Sequence, residues 1–136
     1  MKNLLLVIAF TAASLGTGSA QQASKPAKDK VVAAFFDEER LREPEGQSKF
    51  ENFQYYLKSV QDIVRKKYPE VEFKIVKRGD LLYLPDGTAL NVQNIEPALG
   101  YILSERGKKK RVLSGPQSDS DVSCAVGAYF RGSRCR

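Results

Sequence analysis

The sequence has no histidine and no tryptophan, a single methionine and only two cysteines. Without histidine there is no imidazole base, so Ser-His-Asp triads, His-ligated zinc and imidazole acid/base chemistry are excluded. Long hydrophobic runs are equally scarce. The one block of note, Leu4 to Phe10, falls short of the roughly 20 apolar residues a spanning helix needs, and nothing comparable follows it. Negative charge is the minority: 22 Lys and Arg stand against 16 Asp and Glu, a formal net charge of +6.

What is present at the N-terminus has the order of a cleavable export signal. A positive Met1-Lys2-Asn3 start precedes the apolar block, which fades through small residues to Gly18-Ser19-Ala20. This reading divides the chain into a signal peptide (1–20, cut before Gln21), a flexible leader (21–30) with Pro26 and lysines, and one domain (31–136) with no transmembrane segment. No cysteine lies near the cut, which argues against a lipid anchor. A secreted or periplasmic address follows, and with it an oxidising compartment. There Cys124 and Cys135 read as one disulfide, closing a loop of about ten residues and contributing about 2 to 3 kcal/mol. The basic surface favours an anionic surface or polyanion as partner, and export argues against nucleic acid.

Along the domain, Val31-Val32-Ala33-Ala34-Phe35-Phe36 is a continuous apolar run of strand length, as expected of a central strand covered on both faces. Asp37 to Gln47 is a charged loop with room for a helical turn at 37–41. Ser48 and Glu51 have the spacing of a capping box, and Phe50, Phe53, Leu57, Val60 and Val64 recur at helical spacing, which predicts an amphipathic helix from Lys49 to about Lys67. Its aromatics, Tyr55 and Tyr56 included, read as a core stripe rather than a base-stacking platform. Val71, Phe73 and Ile75 alternate with polar residues and predict a second strand, completing a βαβ unit. Leu81 to Val92, turning at Pro85-Asp86-Gly87-Thr88, is either a small hairpin or an irregular excursion. Ala98 to Leu103 and Lys109 to Leu113 flank a turn at Glu105-Arg106-Gly107-Lys108 and predict an antiparallel hairpin. A final helix follows Asp119 and Asp121.

Strand, helix, strand, irregular insert, hairpin and helix is an order that resembles the thioredoxin-like family. Ile95-Glu96-Pro97-Ala98-Leu99 is similar to that family's loop in which a cis-proline precedes a strand. The resemblance implies an α/β domain with a mixed sheet of about four strands and two main helices, a cis bond at Pro97, and a binding groove beside Pro97, Phe36, Asp37 and Glu96. It also exposes a departure: the family's Cys-x-x-Cys belongs at the end of the first strand, and Phe36-Asp37-Glu38-Glu39-Arg40 has no cysteine. Acidic neighbours would in any case raise a thiol pKa there. A non-redox member that binds a protein, a peptide or an envelope component is the expectation, with no catalytic residue, metal or cofactor. A small secreted inhibitor or host-directed factor, and a thiol-exchange protein using Cys124 and Cys135, are the alternatives.

Three further features carry weaker readings. Lys108, Lys109, Lys110 and Arg111 form a basic patch that is either a solvated turn or a polyanion contact. Arg78-Gly79-Asp80 reads as a turn, although it spells an adhesion tripeptide. Asp37, Glu38, Glu39, Glu43 and Glu45 read as a solvated acidic loop, since their spacing matches no calcium loop.

Overall fold

Val31, Val32, Ala33, Ala34 and Phe35 are all inaccessible to solvent, which requires apolar cover on both sides of one strand. A computed structural model, describing residues 23–24 and 28–135, shows how that cover is built. The export-signal reading falls on residues 1–20, outside the described residues.

The order of elements is β1 (Ala23–Ser24), β2 (Lys30–Phe36), α1 (Pro44–Lys67), β3 (Glu72–Lys77), β4 (Leu81–Tyr83), β5 (Ala89–Asn91), a 3-10 turn (Val92–Asn94), β6 (Leu99–Glu105), β7 (Arg111–Ser114) and α2 (Asp119–Arg131). The main sheet has the order β3-β2-β6-β7. In it β2 and β3 are parallel, whereas β6 is antiparallel to both β2 and β7. A smaller sheet, β1-β4-β5, shows that the stretch around Pro85 is a hairpin rather than an irregular excursion. The domain is therefore a mixed α/β fold with a four-stranded mixed sheet and two helices.

Alternation along the strands sends side chains to two separate cores. Val32, Ala34, Phe73, Tyr101 and Leu103 face Phe53, Val60 and Val64 of α1 and Val122 and Val126 of α2. Val31, Ala33, Phe35, Val76 and Ile102 face Leu82, Leu84, Leu90 and Val92 of the insert. The insert thus covers the sheet face that the helices leave open.

Two expectations need correction. Helix α1 begins a turn earlier than the Ser48 capping box implies: Glu43 is the N-cap, without a side-chain cap bond, and Pro44 follows at the start. A proline preset to helical φ and lacking an N–H suits that position, so Ser48 lies inside the helix. Tyr55 leaves the core stripe, 77 % exposed, with its ring edge-on to Tyr56. Its helical phase differs from that of Phe53, which is fully buried against Phe36 and Tyr101.

The close approach of β6 to β7 depends on Gly100. Its φ is +154°, and a Cβ there would stand 2.1 Å from the carbonyl oxygen of Leu113. Gly100→Ala is expected to lower stability by about 2 kcal/mol or more in chemical denaturation, because the backbone itself must move.

Candidate functional site

The sharpest arrangement of charge lies where β2 ends. Asp37 is completely buried, although its sequence neighbours Glu38 and Glu39 are exposed. Its amide donates to the carbonyl of Ala98 at 2.8 Å, which ties the end of β2 to the segment entering β6. Its carboxylate accepts from Arg40 Nε at 2.9 Å and from the amide of Glu39 at 3.1 Å, and Arg78 Nε lies 3.4 Å away. Burial alone would push the Asp37 carboxyl up; the Arg40 hydrogen bond and the charges of Arg78 and Arg40 outweigh it and hold the group below its ordinary value.

Arg40 completes the arrangement. Nη1 donates to the carbonyls of Ile95 at 2.9 Å and Glu96 at 3.0 Å, while Nη2 donates to Val92 at 2.9 Å and, more distantly, to Pro97 at 3.5 Å. All five guanidinium N–H groups are therefore occupied. Arg40 gathers the whole 92–97 segment around one planar cation, and a lysine could not replace its fork.

Pro97 sits at the lip of a groove of about 330 Å³, with Leu41, Ala98 and Leu99 as apolar lining and Glu43, Glu45 and Lys49 contributing charge. The expected cis bond is absent: every peptide bond among the described residues is trans, Pro97 included. The trans form is the lower-energy isomer by about 0.5 to 1 kcal/mol, and here it presents the carbonyls of Glu96 and Pro97 to Arg40. Those carbonyls are engaged, so an incoming chain would meet side chains and the small-residue lining rather than a free backbone edge at 95–97.

The other expected site residues divide. Phe36, half-buried, packs on Phe50 with ring centroids 5.1 Å apart at the edge of the core and does not line the groove. Glu96 is exposed and contributes its carbonyl, not its carboxylate, to the Arg40 cradle. Asp37 lies beneath the surface, and so the reading of 37–45 as a wholly solvated acidic loop is corrected at that residue. An isolated carboxylate could not stay buried and ionised, but one held by two guanidinium groups can. Arg40 is the residue that sequence reasoning missed. Its only signal was its place three residues after Asp37.

The basic turn is less free than its composition suggests. Lys108 Nζ donates to the carbonyl of Tyr129 and lies over the Tyr129 ring, 4.3 Å from the centroid. Lys110 Nζ lies 3.4 Å from the Thr88 hydroxyl and 4.0 Å from Asp86. Lys108 stays exposed despite these contacts, as do Lys109 and Arg111, and Lys110 is half-buried. At the far end of the domain, Cys124 and Cys135 stand within disulfide distance, their Cα atoms 5.3 Å apart. No group of His, Cys, Asp and Glu among the described residues is arranged to hold a metal ion. No helix among them is long and apolar enough to cross a membrane.

No family model, curated protein or solved structure matches this chain.

The Asp37–Arg40 pair makes two predictions. Arg40→Ala should destabilise the domain by about 2 to 3 kcal/mol, because it leaves the buried carboxylate with Arg78 alone and removes the donors to the 92–97 segment, and Arg40→Lys should recover less than half of that loss. Since the folded-state pKa of Asp37 is depressed, its contribution is complete above the ordinary value of 3.8 and disappears as pH falls through the folded value. Denaturation midpoints measured from pH 6 down to pH 2 should therefore fall for the wild type and fall less steeply for Asp37→Asn.

Proposed function

We propose that this chain is an exported, thioredoxin-like domain that works by binding, without dithiol chemistry at the end of its first long strand, and that a peptide or envelope component occupies the groove beside Pro97. The observation that carries this reading is the Asp37–Arg40 ion pair at 2.9 Å. It stands in the stretch after the first long strand, Phe36 to Arg40, where the resemblance expects cysteines, and it is a fixed pair rather than a reactive one.

Topology supports the same reading. The four-stranded mixed sheet with two helices, its first two long strands parallel and its hairpin leading to a last helix, fits the element order on which the resemblance rests. The groove adjoins the segment where that resemblance expects a binding site. Arg40 has no open N–H, so its role is to hold the groove's wall rather than to act on a ligand.

The experiment is a titration of the labelled full chain with a set of unfolded peptides, read as amide shifts. Apolar-rich peptides should move the resonances of Leu41, Ala98 and Leu99 and leave those of Lys109 and Arg111 in place. A set that moves none of the groove amides would refute the binding site. Insulin-disulfide reduction should run at the uncatalysed rate with both wild type and Asp37→Asn.

A further inference from the structure

Helix α2 ends at Gly132, whose left-handed φ of 68° turns the chain back on itself. The Ser133 amide then donates to the carbonyl of Gly127 at 3.1 Å, and the tail returns to Cys124. Both cysteines line an open cavity of about 490 Å³ between the end of α1 and α2, together with Lys67, Tyr68 and Arg134. Cys135 is exposed and Cys124 half-buried, and neither belongs to either hydrophobic core. The exposed end of the pair is therefore the one that an attacking thiolate can reach.

We infer that the Cys124–Cys135 bond is a reducible clasp, opened where a dithiol partner attacks Cys135, and that opening it releases the tail from the α1–α2 seam without unfolding the domain. The inference is independent of the groove beside Pro97. In the first step a partner thiolate forms a bond to Cys135 Sγ, the Cys124–Cys135 bond breaks, and its electron pair leaves on Cys124 Sγ. The partner's second thiol then attacks the mixed disulfide and frees Cys135. Two electrons and two protons have passed from the partner dithiol to the pair.

Lys67 and Arg134 favour both the approaching and the departing thiolate. Asp119 also lines the cavity, and its carboxylate accepts the Ser59 hydroxyl at 2.6 Å. The rest of α2 has its own anchors: Val122, Val126 and Phe130 lie in the core, and Arg131 holds Glu70 through two nitrogens at 2.8 and 2.9 Å. These contacts keep the helix docked when the tail is free.

The test treats the oxidised full chain with glutathione or dithiothreitol in native buffer, with acid quenching and peptide mapping by mass spectrometry. The native rate should lie within about tenfold of the rate in denaturant, as for a locally opening segment. Glutathione should be found on Cys135, and the reduced protein should keep its far-UV circular dichroism and its cooperative melting. Reduction that requires denaturant, adducts on Cys124, or loss of the fold on reduction would each overturn the inference. The double variant Lys67→Glu with Arg134→Glu should react several-fold more slowly, and an unchanged rate would count against it.

Discussion

A single guanidinium organises the end of the domain where the groove lies. Arg40 binds a buried carboxylate on one side and four backbone carbonyls on the other, and those carbonyls belong to a segment with no strand partner of its own. Val92 is buried and its carbonyl would be costly to leave without a donor, whereas the carbonyls of Ile95, Glu96 and Pro97 lie near solvent, where Arg40 fixes their direction. The cation in turn is held by Asp37, which is held by the carbonyl of Ala98. The loop, the end of β2 and the start of β6 thus form one cooperative unit rather than three neighbouring pieces.

That unit bridges the two cores. Val92, at one end of the cradle, is buried in the core beneath the insert, whereas Leu41 and Leu99 belong to the core beneath the helices. The groove beside Pro97 opens between α1 and the segment entering β6, so its walls are set by how both layers pack on the same central strand. At the opposite end of the domain, Arg131 performs a comparable task. It joins the end of α2 to Glu70 and lies over the Tyr68 ring, 4.5 Å from its centroid. The Arg131 hydrogen bond holds the Glu70 carboxyl down to about 2.

Much of the architecture was legible because it is written in short periods. The apolar run of β2, the helical spacing from Phe50 to Val64 and the alternation at Val71 to Ile75 each report a local geometry, and the observed elements occupy those stretches. The site was less legible. Pro97 and Asp37 were expected side by side, and the Asp37 amide does bond to Ala98. The burial of Asp37 was hidden by its acidic neighbours, and the trans bond at Pro97 ran against the cis bond that the family resemblance implied.

Sequence alone determined the composition of the chemistry, with no imidazole and one cysteine pair, and the order of the four main-sheet strands and two helices. These follow from residue types and from patterns a few residues long. Only the tertiary structure decided which charges are free. Arg40 reaches Ile95 across 55 positions of sequence, Lys108 reaches Tyr129 across 21, and Asp37 disappears from a patch in which its neighbours remain exposed. No local period encodes such pairings. They arise because burying an ionised or polar group is tolerable only where the fold brings it a partner.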